Sequence, residues 1–323
     1  MVRVPNFKLI AKGKDITKTI KKELIELSFE DKEGSESDEI SFRVNGIYQK
    51  PFFGDSLELW LGYGDELFKC GKFSVQTTET DYTANTTEVR ATAVNFASPI
   101  KVKKSRTWQD TTLFTIVKKI ADENSLSVKI AGDDFNVSSK LQDNLSDLDF
   151  LYGLCFELNY LMAVKNGAII VTSKDARSDE LGSKVTPKNK ALPKNEIRLS
   201  ECHTLRISSA NRNVYNATIL EWQDSESGKT KSIKVGSGNN AYKMRIAAPK
   251  SDAEAFKIGE SKLNELQRGG INGSLECDGK EVKAGGKLKL IGVANYEDVE
   301  FSIKSVTHTL NNTTYTISVE FEG

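Results

Sequence analysis

The first hundred residues alternate with period two. "ISFRV" (Ile40–Val44), "LELWL" (Leu57–Leu61), "FSVQT" (Phe73–Thr77) and "VRATA" (Val89–Ala93) each set apolar or small groups on one face and polar groups on the other. That is the pattern of half-buried antiparallel strands. The turn-forming stretches "GDS", "GYGDE" and "TANTT" separate them.

After "SPIKVKKSR" the period changes. Asp110, Thr111 or Thr112 can cap a helix running to about Glu123, with apolar positions Leu113, Ile116, Val117, Ile120 and Ala121 spaced three and four apart. A second helix is predicted over Ser146–Leu158, where Ser146 and Asp149 resemble a capping box. It is apolar nearly all round, so it should be buried inside the domain or at a subunit contact, with Leu151 the residue to test. A hairpin follows in "LMAVKNGAIIVTS", turning at Asn166-Gly167. Residues 174–196 are polar, contain Pro187 and Pro193, and read as a linker.

From Ile197 the alternation returns in "TLRIS", "NATILEW", "KSIKV", "LKLIG", "FSIKSV" and "YTISVEFE". One helix interrupts it, opened by a Ser251/Glu254 capping box after Pro249 and closed near Arg268 by Gly269-Gly270.

The first and last β regions look like copies of one another. "GDSLELWLGY…FSVQTTETDYTANTTEVRATA" at 54–93 has the same order of features as "GGKLKLIGV…FSIKSVTHTLNNTTYTISV" at 285–319. Leu57 matches Leu288 at an offset of 231, Phe73 matches Phe301 at 228, and Asn85-Thr86-Thr87 matches Asn312-Thr313-Thr314 at 227. A duplication gives one chain two similar β domains with a mixed domain between them. The expected division is 1–100, 101–196 and 197–323, the last carrying a helix at about 251–268. The fold class is mainly β with an α+β middle.

Composition narrows the function. The 323 residues carry 45 Lys+Arg and 45 Asp+Glu, a net charge of zero, so the basic excess of a nucleic-acid binder is absent. Mean hydropathy is −0.41 and no stretch approaches the ~20 apolar residues of a membrane span. The N-terminus shows no signal-peptide pattern, which points to synthesis in a cytoplasm. Cys70, Cys155, Cys202 and Cys277 lie far apart and form no CxxC, so reduced, mostly buried thiols are expected.

Candidate chemistry is sparse. "FEDKEGSESDEISF" (Phe29–Phe42) holds Asp31, Glu33, Glu36, Asp38 and Glu39 within nine residues. It fails as an EF-hand: counted from Asp31, Glu36 stands where Gly is needed and Phe42 where a bidentate Glu is needed. As a catalytic carboxylate pair it shows no apolar pocket to raise one pKa. A solvated hairpin tip is the expectation.

Cys202-His203 lacks further metal ligands, and His308 lies on an alternating strand. A Cys155/His203 nucleophile pair has nothing to orient it. "GSGNN" (Gly236–Asn240) reads as a strand turn and "KVKKSRTW" (Lys101–Trp108) as an exposed joint between domains. No catalytic, cofactor-binding or metal-binding residue is assigned.

The order of these segments resembles the phage late-control gene D family, the baseplate hub proteins of contractile tails. The matching positions are Asp31, Gly34, Ser37 and Asp38; then Gly54, Leu57, Leu59, Leu61, Gly62 and Tyr63; then Gly71, Phe73 and Val75. "KSRTWQDTTLFTIVKKIADENSL", "LSDLDFLYGLCFELNY", "VGSGNNAYKMR", "GGKLKLIGV" and "VTHTL" extend the likeness over essentially the whole chain. One departure is Gly153, where the family usually has Arg.

The resemblance implies two tube-protein-like antiparallel β-barrel domains flanking the mixed one. It implies a homotrimer whose six barrels adapt a sixfold tail tube to a threefold spike in a phage tail or a tailocin. The family shares this module with VgrG, which continues into a needle; this chain stops at "SVEFEG", so its spike should be a separate protein. Other baseplate proteins and a tape measure protein are further implied partners, and no nucleic acid or membrane insertion is implied. The particle would assemble in the bacterial host cytoplasm. Two other classes stay open: a peptidoglycan- or carbohydrate-binding β module, which predicts a monomer with an aromatic ligand face, and a cell-wall hydrolase, which needs paired carboxylates in a cleft.

Overall fold

The computed structural model describes residues 3–34, 37–93, 99–132, 134–158, 160–173, 194–210, 215–224, 227–246, 248–249, 251–267, 270–297 and 299–323. The first β region runs β1 (Pro5–Ala11), β2 (Lys14–Asp15), α1 (Thr17–Glu23), β3 (Leu24–Lys32), β4 (Glu39–Asn45), β5 (Ser56–Tyr63), β6 (Glu66–Asp81) and β7 (Thr86–Thr92). The middle runs β8 (Lys103–Thr112), α2 (Leu113–Glu123), β9 (Ser127–Ala131), β10 (Asn136–Ser146), α3 (Asp147–Glu157), β11 (Tyr160–Lys165) and β12 (Ala168–Ser173). The last region runs β13 (Lys194–Arg198), β14 (Cys202–Ser209), β15 (Ala217–Gln223), β16 (Thr230–Gly236), β17 (Ala241–Arg245), α4 (Asp252–Gln267), β18 (Ile271–Asp278), β19 (Lys287–Ile291), β20 (Glu300–Leu310) and β21 (Tyr315–Glu322).

The chain is mainly β, and its two outer β regions share one sheet. The order is β14-β18-β21-β20-β3-β4-β7-β6-β5-β1-β2, with β19 on β20 and β13 on β19. The join is the antiparallel pairing of β3 with β20, from Ser305 opposite Lys32 to Leu310 opposite Leu27. One apolar core underlies both regions, with Leu9, Leu27, Phe29, Leu59 and Leu61 from the first and Phe301, Ile303, Val306, Val319 and Phe321 from the second. Burying each such side chain is worth about 1.5–3 kcal/mol, which is why alternation so strongly selects the inner face.

The strand registers show the duplication residue by residue. Leu57 faces Phe73 in the first unit and Leu288 faces Phe301 in the second. A bulge between Val75 and Thr77 recurs between Ile303 and Ser305, at the same offset of 228 as Phe73 to Phe301. A second bulge, between Leu24 and Glu26 opposite β4, recurs between Cys202 and Thr204 opposite β18. Gly54 donates its N–H to Val75 O at 2.8 Å, and Gly285 does the same to Ile303 O at 2.8 Å. Both glycines have positive φ, +84° and +76°, which a side chain would strain.

One sequence match does not survive. The Asp81–Thr86 pair corresponds to Thr309–Thr316, an offset of 230 for the last strand, because the second hairpin has one more pair at Leu310–Tyr315. The two Asn-Thr-Thr turns are therefore not equivalent. The units also differ in their flanks: β1 is antiparallel to β5, whereas β13 is parallel to β19.

The middle of the chain has its own core, including Ile100, Trp108, Ile116, Ile120, Leu151 and Leu154. Thr112 caps α2, its Oγ1 accepting from Thr115 N at 3.2 Å. Ser146 caps α3, and because Asp149 is shorter than Glu its carboxylate reaches the Ser146 hydroxyl, at 2.6 Å. Leu151 is fully buried within the chain, so the inner face of α3 fills this core. Asp149, Gly153, Phe156 and Glu157 are its exposed positions, Phe156 at 55%.

"KVKKSRTW" also differs from expectation. From Lys103 it is part of β8, paired along β10, with Trp108 buried while Val102, Lys103, Ser105 and Thr107 stay exposed. The linker expected over 174–196 lies outside the described residues as far as 193, and its last three residues belong to β13; the helix stop at Arg268-Gly269 also lies outside them. A separate three-stranded sheet, β16-β15-β17, packs under α4. There Gly259 lies so close to Val235 and Leu220 that a Cβ would clash, and its carbonyl accepts from Thr218 Oγ1 at 2.8 Å. "GSGNN" is the turn between β16 and β17, as read.

Candidate functional site

The acidic stretch between β3 and β4 is where the structure departs furthest from its sequence reading. Strand alternation turns Asp31 inward at the end of β3, and Asp38 folds in just before β4. Both are buried, at 3% and 5% exposure. Between them sits the ammonium of Lys165, delivered by the β11–β12 hairpin of the middle region. It bonds Asp31, and lies 3.1 Å from Asp38 Oδ2. The other carboxylate oxygens take backbone donors: Ala284 N to Asp31 Oδ2 at 3.0 Å and Lys32 N to Asp38 Oδ1 at 3.2 Å. Three parts of the chain thus meet on two carboxylates. The expectation of a solvated hairpin tip is overturned for Asp31 and Asp38, because a half-buried cation 134 residues away compensates them. Of the other acids, Glu33 and Glu39 are half-buried, and Glu36 lies outside the described residues.

The electrostatics follow from burial. Desolvation pushes Asp38 up to about 6, opposed by Lys165 and reinforced by the neighbouring Asp31 charge. Burial alone would lower Lys165, but the two carboxylates outweigh it and hold the ammonium above its ordinary value. An open cavity of about 300 Å³ adjoins the cluster, walled by Phe29, Phe68, Cys70, Met162 and Val282. An apolar wall beside a raised carboxyl is therefore present here, contrary to the sequence reading. Yet both carboxylates aim at one ammonium and at backbone donors. That arrangement locks three segments together.

The hairpin that delivers Lys165 turns at Asn166-Gly167, both with positive φ. Asn166 Oδ1 accepts from Lys72 N of β6 at 3.0 Å, a second tie between the middle region and the first unit. Beside the cluster, His308 of β20 is fully buried and stacks on Phe29 at 5.4 Å. Its Nδ1 is 2.8 Å from the Tyr315 hydroxyl, and burial lowers its pKa to about 4. A neutral imidazole here is a core residue of the β3–β20 join.

The remaining candidates are scattered. Cys155 is buried in the middle core, while His203 is exposed on β14, so they form no pair. Cys202 faces Cys277 across β14 and β18, both as free thiols, at positions the first unit fills with Leu24 and Val44. Among the described residues no three His, Cys, Asp or Glu side chains cluster as metal ligands. Lys104 and Arg106, from the basic run, both reach the buried Asp147 at 2.6 Å. Burial would raise Asp147; hydrogen bonds from Lys104, Gln142 and Asn124 outweigh it and hold the carboxyl below its usual range.

A family model described as the Alg8 N-terminal domain matches residues 48–312. The probable baseplate hub protein of Escherichia phage P2 is 24% identical over 367 aligned residues, which cover 98% of this chain and 93% of that protein. The tail protein from Neisseria meningitidis MC58 superposes with a TM-score of 0.71 at 10% identity, covering 99% of this chain and 97% of that one. The prophage MuSo2 43 kDa tail protein from Shewanella oneidensis gives a TM-score of 0.67 at 12% identity, covering 98% of both. The chain belongs to the Alg8 N-terminal domain family, and it resembles the phage baseplate hub proteins along nearly its whole length.

Proposed function

We propose that this chain is the structural hub of a contractile-tail baseplate, in a phage or a tailocin. It would act as a homotrimer that adapts a sixfold tail tube to a threefold spike, the spike being a separate protein. Residues 1–100 and 197–323 would be its two tube-like barrel domains and 101–196 the domain between them. Tail tube protein, spike, other baseplate proteins and a tape measure protein are its partners on this reading, and it has no enzymatic step. It works in the tail baseplate after assembly in the host cytoplasm.

The observation that carries the reading is the duplication. Two units with the same registers and the same two bulges lie edge to edge in one chain. Three such chains present six near-equivalent units with only threefold identity, which is what a sixfold-to-threefold joint requires. The relatives named as baseplate hub and tail proteins support the same role.

Light scattering tests it, on the full chain alone and co-expressed with a spike encoded beside it. The expected particle has three times the 35.8 kDa chain mass and is ring-shaped in electron micrographs. A monomer under both conditions contradicts the proposal.

A further inference from the structure

The β3–β20 join uses one edge from each unit, and among the described residues the duplicated counterparts of those edges are open. By the offset of 228, the Ser305–Leu310 edge of β20 corresponds to residues 77–82 in and just beyond β6. By the matched bulges, Leu27 and Phe29 of β3 correspond to Leu205 and Ile207 of β14, an offset of 178. Among the described residues β5 leaves β6 at Ser74, and β14 pairs with β18 alone. Position by position the open copies are more exposed. Val306, His308 and Leu310 are buried, whereas Thr78 and Thr80 are half-buried and Tyr82 is 81% exposed. Leu27 and Phe29 are buried, whereas Leu205 and Ile207 are half-buried.

The loop beside the open edge carries the apolar surface. Residues 52–55 match 283–286, since Asp55 N bonds Phe52 O as Gly286 N bonds Lys283 O. In the second unit this loop lies on β3, with Val282 buried and Ala284 N bonding Asp31. In the first unit it presents Phe52 and Phe53, 73% and 64% exposed, with no counterpart strand among the described residues to cover them.

We infer that the open edge of β6, flanked by Phe52, Phe53 and Tyr82, pairs with β14 of a second copy of this chain, in the register of the internal join. That register sets Thr78 opposite Ser209 of the partner subunit, Glu79 opposite the partner's Ser208, and Thr80 opposite the partner's Ile207. It sets Asp81 opposite Arg206 of the partner subunit, a favourable charge pair, and Tyr82 opposite the partner's Leu205. Backbone pairing satisfies the open N–H and C=O rows, and exposed aromatics anchor the contact. The contact is heterologous, so each copy offers one edge and accepts another, and rotation closes the set into a ring. The inference rests on the trimeric reading and adds which strands meet and in what register.

The test is disulfide trapping in the full chain, alone and co-expressed with its spike. Glu79→Cys with Ser208→Cys places thiols on one outward face of the predicted pair. Oxidation should give covalent trimers, at least tenfold more than either single variant or the off-register pair Glu79→Cys with Ser209→Cys. In parallel, Phe53→Asp should leave the circular dichroism unchanged and shift assembly at least tenfold toward monomer. Trimer-mass particles in which the in-register pair traps no better than the off-register pair, or which Phe53→Asp leaves intact, overturn this inference while the trimeric reading stands. A chain that stays monomeric in both settings overturns the trimeric reading itself.

Discussion

Phe29 and Ile207 hold the same place in two copies of one unit. Phe29 is 4% exposed beneath β20, while Ile207 is half-buried on β14, at the end of the sheet. The contrast teaches that the units differ less in how they fold than in what covers their edges. It also locates the specialisation. The β3–β4 connection, six residues in the first unit, corresponds to the segment between β14 and β18, which carries the β16-β15-β17 sheet and α4. One unit uses that corner to bind Lys165, and the other to mount an extra layer.

The largest expected effect breaks the contrast directly. Phe29→Ala empties a filled site under the join and should cost about 3–5 kcal/mol in chemical denaturation. Ile207→Ala should cost only about 1 kcal/mol in the monomer, since the site is only half-covered. Equal losses in the monomer would mean that the edges are not as different as their burial indicates.

A smaller effect sharpens the join itself. Asp38 is raised to about 6 when folded against 3.8 as a free side chain, so the folded chain holds the extra proton between those values. Its contribution to stability therefore falls as pH rises from about 4 to about 6. His308 is lowered to about 4 against 6.5, so the unfolded chain holds the extra proton and its contribution rises with pH from about 4 to about 6.5. The two slopes oppose each other, each at most about 1.4 kcal/mol per pH unit. Relative to the unaltered chain, Asp38→Asn should make stability climb more steeply from pH 4 to 6, and His308→Phe less steeply. Denaturation midpoints at pH 4, 5 and 6 measure this, and slopes that do not move in opposite directions contradict the burial of these groups.

The strands and main helices were legible because alternation and three-four spacing track burial, as in β4, β5, α2 and α3. Even the bulge is written in the sequence: apolar Phe301 and Ile303 are followed by Val306, a slip of phase. The short α1 was not legible, because Thr17–Glu23 offers a single buried side chain, Ile20. Nor was β8, whose only buried side chain is Trp108. The Asp31–Lys165–Asp38 lock could not be read at all. An acidic run looks solvated until the fold brings a lysine from the β11–β12 hairpin onto it, and nothing local to residues 29–42 announces that partner. Regarding relatedness of the units, the Gly54/Gly285 turns and the Leu-x-Leu strands were sound guides, whereas Asn-Thr-Thr was a coincidence of composition.

Hydrogen exchange on the assembled particle tests the central claim most directly, because it reads paired and open edges in one experiment. In the monomer, amides at the β6 edge (77–81) and in β14 (205–209) should exchange far faster than those of Ser305–Leu310 and Leu27–Lys32. In the assembled particle all four segments should exchange alike, as slowly as the internal join. A trimeric particle in which 77–81 and 205–209 still exchange at the monomer rate would contradict the account.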